Sequence, residues 1–213
     1  MQRIAVIDYG MGNLRSVAKA LERVAPDDEV IVSGDAAVIA SSDRIVCPGQ
    51  GAARDCMAAL HASGLGRTIL DTVDTRPFLG ICMGLQVLLD ASEENGGVPC
   101  LGVVPGRVTR FAEPLLDADG TRLKVPHMGW SRVHQRAPHP LWHGIADGAR
   151  CYFAHSYVCE PADAGLVVGS CDYGREFAVA IAYPGFFACQ FHPEKSAADG
   201  LALLANFVGW DGR

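Results

Sequence analysis

The chain has 213 residues, 49% of them hydrophobic and 20% charged, with a formal net charge of −6. That length suits one α/β domain with a full core, taking roughly 150 residues per domain as a prior, and the composition is globular rather than disordered. The acidic balance leaves no Lys/Arg cluster to neutralise phosphates, so a nucleic-acid partner is not expected.

RIAVIDY, at the N-terminus, reads as a buried strand. It lacks the charged start, long apolar stretch and small-residue cleavage site of a secretory leader. No apolar run approaches the roughly 20 residues that cross a bilayer, so a soluble, cytoplasmic protein is expected. LRSVAKALERV then has helical spacing, EVIVS and RIVCPG read as strands, and CMAALHASGL and RTILDTV read as helical. PFLGI is a further strand, leading into a helix at LQVLLD. Strands alternating with helices imply βαβ units and a parallel sheet. From about residue 98 to 191 the segments turn β-rich: VTRFA, RLKVP, SRVHQ, RCYFAHSYV, GLVVGSC, FAVAIAY and FFACQF. ADGLALLANFVGW closes the chain as a terminal helix. The fold expected is α/β, an open mixed and mostly parallel sheet flanked by helices, with an added β-rich portion in the C-terminal half. No repeat, low-complexity tract or linker divides it, so residues 1–213 are read as one domain.

The eight cysteines, at positions 47, 56, 82, 100, 151, 159, 171 and 189, include no CxxC and no paired ligand spacing. Neither a zinc site nor a redox dithiol is expected, and reduced thiols are the simplest reading. One cysteine stands apart. Gly80-Ile81-Cys82-Met83-Gly84 has the pattern of a nucleophile elbow with cysteine in place of serine. Its glycines permit a sharp strand-to-helix turn, and a helix N-terminus behind the sulfur favours a thiolate. The pattern alone leaves Cys82 open between a nucleophile and a small buried thiol.

A thiolate that transfers acyl groups needs a base and a group to orient that base. In Gln190-Phe191-His192-Pro193-Glu194-Lys195, His192 follows an apolar strand, where active sites of open α/β sheets lie, and Glu194 follows two residues later. By itself HPE reads first as a surface turn; beside the elbow the balance reverses and it reads as base and orienting acid. The other histidines carry less. His139 and His143 have i, i+4 spacing, but prolines at 138 and 140 argue against a helix there and no third ligand is evident, so no metal site is assigned. His155 alternates with Phe153 and Tyr157 in a strand, at a structural or pocket-lining position. His61 and His134 read as surface residues.

An acyl intermediate also needs oxyanion donors. The backbone N–H of Met83, directly after the nucleophile, is one. Pro48-Gly49-Gln50-Gly51 offers a second at the end of RIVC, since glycines around Gln50 let its peptide plane rotate. Asp8-Tyr9-Gly10-Met11-Gly12-Asn13-Leu14-Arg15 sits between strand and helix like a dinucleotide fingerprint, but Arg15 stands where the third glycine belongs. The turn instead brings Asn13 and Arg15 to the strand-end face.

Taken together, DYGMGNLRSV, PGQG, GICMGLQ, VPHMGW, YFAHSY and QFHPEKS resemble, in order and over nearly the whole chain, the class I (triad) glutamine amidotransferases. Within that class the set is most similar to the glutaminases that serve imidazole glycerol phosphate synthases. The resemblance implies hydrolysis of glutamine to glutamate and ammonia by Cys82, His192 and Glu194, with no cofactor. It implies that Gln86, Ser156 and Tyr157 hold the α-amino and α-carboxylate groups of glutamine, and that Met83, Gln50 and Gly51 serve the oxyanion. It further implies a heterodimer with a separate (β/α)8-barrel cyclase that uses the ammonia to make imidazole glycerol phosphate and AICAR. Asn13, Met128, Trp130, Tyr152 and Lys195 match interface and ammonia-relay positions. Activity is expected to be low until the partner binds its own substrate, with Gly49-Gln50-Gly51 as the moving element. Two positions depart from many relatives, Gln50 for Val and Ser131 for Asn; neither removes a catalytic group. A glutaminase serving another synthase and a non-catalytic subunit of the same fold are the alternatives.

Overall fold

In the computed structural model, which describes residues 1–213, the first apolar run forms β1 (Arg3–Ile7). Ile4 and Val6 pack into one apolar cluster while Ala5 and Ile7 pack into another. The two-residue alternation of a strand thereby gives the sheet a core on each face. α1 (Leu14–Val24) follows, turning Val17, Ala18 and Leu21 inward at helical spacing. Next come β2 (Glu29–Ser33), α2 (Ala36–Ala40) and β3 (Arg44–Gly49). α2 is too short for apolar periodicity to predict; its local signal is Asp35, whose carboxylate accepts from the Ala37 N–H at 2.8 Å as an N-cap. α3 (Ala53–Ser63) and α4 (Leu65–Thr72) meet at Gly64, whose φ of 73° ends one helix and begins the other. β4 (Phe78–Cys82) then runs into α5 (Met83–Gln86).

The remaining strands are β5 (Leu89–Ser92), β6 (Val98–Pro99), β7 (Val104–Arg110), β8 (His127–Gln135), β9 (Ala149–His155), β10 (Tyr157–Pro161), β11 (Val167–Asp172), β12 (Glu176–Tyr183) and β13 (Phe186–Cys189). α6 (Ala197–Gly209) ends the chain. The sheet runs β2-β1-β3-β4-β13-β12-β10-β7-β5-β6. From β2 to β13 every pairing is parallel; beyond it β12, β10 and β7 pair antiparallel. β11, β8 and β9 branch from β12. No helix is long and apolar enough to cross a membrane.

Three local expectations are corrected. LQVLLD is not a helix: α5 stops at Gln86, and Leu89 enters β5 beside Val104 of β7. A short apolar run buried all round fits either structure, and pairing decided it. RLKVP forms no strand, because only Leu116 and Arg122 bridge across an exposed turn closed by Gly120 N–H to Asp117 O at 2.9 Å. YFAHSYV breaks at Ser156, since β9 pairs with β8 whereas β10 pairs with β7.

Register positions the site. Gly49 of β3 lies opposite Cys82 of β4, and Ile81 lies opposite Cys189 of β13. The chain leaving the C-terminal ends of three adjacent parallel strands therefore converges on Cys82, at the edge where open α/β sheets form their sites.

Candidate active site

Cys82 takes the strain of the elbow itself. Its φ is 55° and ψ −108°, in a region that residues with a Cβ avoid. The glycines serve another purpose: they make room. A Cβ on Gly84 would run into the Cys47 carbonyl oxygen, and one on Gly80 would come within 2.9 Å of the Ala188 Cβ and 2.7 Å of the Gly84 oxygen. Because the Gly84 obstacle is backbone, we expect Gly84→Ala to lower the urea-unfolding free energy by about 3 kcal/mol and to abolish the site's reactivity. Gly209→Ala, with open space around it, is the neutral control.

The helix behind the elbow is four residues long. The elbow pattern implied a part for it in holding a thiolate, but one turn aligns too few peptide dipoles to do so. Side chains take that place. His192, 5% exposed, follows β13 and bonds through Nδ1 to Glu194 Oε1 at 2.9 Å, while its other face meets the Cys82 side chain. Burial pushes the imidazole toward neutrality, yet the hydrogen bonds to Cys82 and Glu194 outweigh it and lift His192 to about 9. The backbone is held as firmly. His192 N–H donates to Tyr152 O at 2.9 Å, and the Ser196 hydroxyl donates to His192 O at 2.7 Å. Glu194 is buried, and its Oε2 has no partner.

A cleft of about 280 Å³ opens over Cys82, a size suited to an amino acid rather than a larger ligand. Of the residues singled out from sequence, Gln50, Gly51, Met83, Gln86, Met128, Ser156, Tyr157, His192 and Lys195 line it. Met83 is the first residue of α5, so its N–H has no helical acceptor. The Gln50 carbonyl accepts from the Cys56 thiol at 3.6 Å; in a trans peptide the Gly51 N–H then points the opposite way. Tyr9 packs beneath this strand with its buried hydroxyl unpartnered, and a Cβ on Gly49 would strike that hydroxyl. Gly12 lies against Gly49 as well, so the first glycine-rich turn supports the PGQG strand.

Trp130, Tyr152 and Asn13 stand outside the cleft lining. Trp130 is 43% and Met128 65% exposed on β8. Trp130 meets Tyr152 edge-to-face at 6.1 Å, and Lys195 Nζ sits 5.7 Å from the Tyr152 ring centre. The result is a patch of large apolar side chains with Lys195 beside it, and Arg150 donates to the Trp130 carbonyl at 3.3 Å. Asn13 precedes α1 and makes no side-chain cap. The site also holds residues to which the sequence motifs assign no role. Glu94 lines the cleft and accepts the Ala53 N–H at 2.6 Å; nothing in its local pattern sets it apart. Gln190, two residues before His192, stands in the QFHPEKS motif with no role assigned to it there, and it is fully buried.

His155, which also lines the cleft, forms a buried pair with His127. His155 Nδ1 bonds to Tyr157 O at 2.7 Å, its Nε2 faces His127 Nδ1 at 3.1 Å, and His127 Nε2 meets the Ser131 hydroxyl at 2.8 Å. The Tyr157 carbonyl can only accept, which makes His155 Nδ1 a donor, His127 Nδ1 the next donor and Ser131 the last. Burial holds His127 down to about 4 and His155 down to about 3. Both folded values lie below the unfolded 6.5, so as pH falls the unfolded chain binds protons first. Stability is therefore lost as pH drops from about 6.5 toward 4. His192, raised, contributes stability that is complete below 6.5 and lost as pH rises through 9, so it gains a little over this interval, while His139, held down to about 4 by burial, loses in the same direction as the pair. The urea-unfolding free energy should fall by about 2 kcal/mol for the pair between pH 7 and 5.5. An unchanged midpoint would mean that the pair is protonated in the fold.

A family model described as Glutamine amidotransferase class-I matches residues 5–209. The chain is 56% identical over 211 residues to the imidazole glycerol phosphate synthase subunit HisH of Aromatoleum aromaticum, covering 99% of each chain. It is 58% identical over 210 residues to the Dechloromonas aromatica protein of that name, covering 98% of this chain and 97% of that one. Among solved structures, a putative GMP synthase protein of Thermoplasma acidophilum has a TM-score of 0.71 at 20% identity, covering 98% of this chain and 93% of that one. PurLQS from Thermotoga maritima has a TM-score of 0.71 at 17% identity, covering 98% and 99%. These two likenesses bear on fold alone.

Proposed function

The chain belongs to the class-I glutamine amidotransferase family, and from that membership we propose that it is the glutaminase subunit of an imidazole glycerol phosphate synthase, acting in histidine biosynthesis. The similarity over almost its entire length to subunits of that name supports the assignment. The observation that carries the chemistry is that Cys82 and His192 line one cleft, with His192 bonded to the buried Glu194 carboxylate.

In the proposed mechanism, the Cys82 sulfur attacks the side-chain amide carbon of glutamine as His192 accepts the thiol proton. The carbonyl π electrons move onto oxygen, which the Met83 N–H and the Gln50–Gly51 strand receive. His192 then returns the proton to nitrogen, the C–N bond breaks, and ammonia leaves a thioester. Water, deprotonated by His192, cleaves the C–S bond; the proton returns to sulfur and glutamate departs. Glu194 holds the imidazole in the required tautomer throughout. At the other end of the substrate, Gln86 Oε1 and the Glu94 carboxylate receive the α-ammonium, while Ser156 and Tyr157 receive the α-carboxylate. The Gln86 amide nitrogen is already committed inside the protein, so its oxygen is the group left for a cation.

Free ammonia would protonate in water and lose its nucleophilicity. It passes instead to a (β/α)8-barrel cyclase bound as a heterodimer over the Met128–Trp130 face, with Asn13, Tyr152 and Lys195 around the passage and the Gln50 strand as the element that responds to the partner. Large exposed apolar side chains on that face suit an interface. The chain works as one unit over residues 1–213, in the cytoplasm, and the mechanism calls on no cofactor. The test is to purify the chain with a barrel cyclase and follow glutamine consumption against imidazole glycerol phosphate formed. One-to-one turnover is expected; failure to bind any cyclase would overturn the pathway assignment.

A further inference from the structure

Gln190 leaves the C-terminal end of β13 with its backbone N–H bonded to Val179 O at 2.8 Å and its side chain wholly buried. A buried primary amide must find partners for its N–H groups and its oxygen. Gln190 Oε1 accepts from Gln86 Nε2 at 2.9 Å, and Gln190 Nε2 lies 3.6 Å from Cys82 Sγ. The direction of this chain of amides is fixed at its far end. Gln86 Nε2 is also 3.5 Å from the Tyr157 backbone carbonyl, which can only accept. Turning both amides over would set the Gln86 oxygen against that carbonyl and the Gln190 oxygen against the sulfur. The arrangement that satisfies every group points an N–H at Cys82.

We propose that Gln190 is a thiolate-binding catalytic residue, donating its Nε2–H to the Cys82 sulfur, and that Gln86 is the positioning residue that fixes its direction. The proposal rests on the reading of Cys82 as the glutaminase nucleophile. Burial is the main cause that pushes the Cys47 and Cys151 thiols up to about 12, and Cys82 is 5% exposed. An ion there needs donors. α5 is one turn long and supplies little, whereas a hydrogen bond to an ionised acceptor is about twice as strong as a neutral one. Gln86 thereby acquires two tasks: its nitrogen holds Gln190, and its oxygen faces the cleft where the substrate ammonium sits. Occupancy of one end of the glutamine site is tied through two amides to the sulfur that attacks the other end.

The titratable groups that face the sulfur are Tyr9 after β1, Cys56 on α3, Cys159 on β10, Cys189 on β13 and His192. Burial pushes all but His192 upward, Cys56 to about 11 and the rest further or as far. Of these groups only His192 titrates between pH 6 and 10, and the charged Glu94 and Lys195 line the same cleft. The test is the pH profile of Cys82 alkylation by iodoacetamide in the full-length chain, read on the Cys82 peptide by mass spectrometry. Gln190→Met should move the midpoint up by about one pH unit, a tenfold loss of rate below it. Gln190→Glu, placing a carboxylate against the sulfur, should move it further. An unmoved midpoint in a Gln190→Met protein that melts like wild type overturns the proposal. Should neither variant fold, ¹⁵N NMR of the wild type decides: the Gln190 side-chain NH2 shift should titrate at the Cys82 midpoint and cease to do so in Cys82→Ala. A resonance that ignores Cys82 ionisation overturns it equally. Alkylation needs no glutamine turnover, so this outcome is separate from that of the glutaminase reading, which fails if Cys82→Ala still hydrolyses glutamine.

Discussion

Cys82→Ala should lose glutamine-driven synthesis by a factor of about 10³ or more while ammonia-driven synthesis by the complex stays near wild type. Only the first reaction needs the sulfur. The substitution is unusually clean here. Cys82 has a φ of 55°, and alanine keeps the Cβ that makes this conformation costly, so the elbow stays as strained as before. Cys82→Gly removes nucleophile and strain together and should be more stable than Cys82→Ala by about 1 kcal/mol. Equal stabilities would mean that the turn carries no strain. Glutamine use surviving in Cys82→Ala would remove this thiol from the mechanism.

Cys82 is legible in the sequence because its signal is local. An apolar strand, two glycines around a cysteine and a short helix fall within ten residues, and each has a steric reason that the fold makes visible at Gly80 and Gly84. His192 and Glu194 are legible for the same reason, as a proline-fixed turn after an apolar run. What stays hidden depends on pairing between distant segments. Gln190 reaches Cys82 only because β13 lies parallel to β4 with Cys189 opposite Ile81. Glu94 reaches the cleft from the turn after β5, and LQVLLD reads as helix until strand pairing with β7, a long-range fact, overrides its local pattern. His127 meets His155 through the register of β8 with β9. The alternation of apolar and polar residues gives a strand's faces but not its neighbours. The resemblance implies Gln86 as a substrate contact; the hydrogen bonds show which of its atoms remains free for one.

Glu194→Gln separates activity from stability in a way that few substitutions can. The carboxylate is buried, and while Oε1 holds His192 Nδ1, Oε2 has no partner. An ion with an unpaired oxygen away from water is costly to keep, so above pH 9, where His192 is neutral and no ion pair is lost, the neutral amide should leave the melting temperature unchanged or raise it. Activity should move the other way. Glu194 is one of the groups that raise His192 toward 9, and without its charge the imidazolium that forms on each proton transfer is less stable. An amide can also present its NH2 to Nδ1, selecting the wrong tautomer. A loss of about 10³-fold in kcat is expected, with KM for glutamine little changed because Glu194 does not line the cleft. A rise in KM with kcat preserved would make Glu194 a substrate ligand. A fall in both kcat and melting temperature would make it a structural residue. The expected pattern, slower and no less stable, is that of a buried charge kept for the reaction at a cost to the fold.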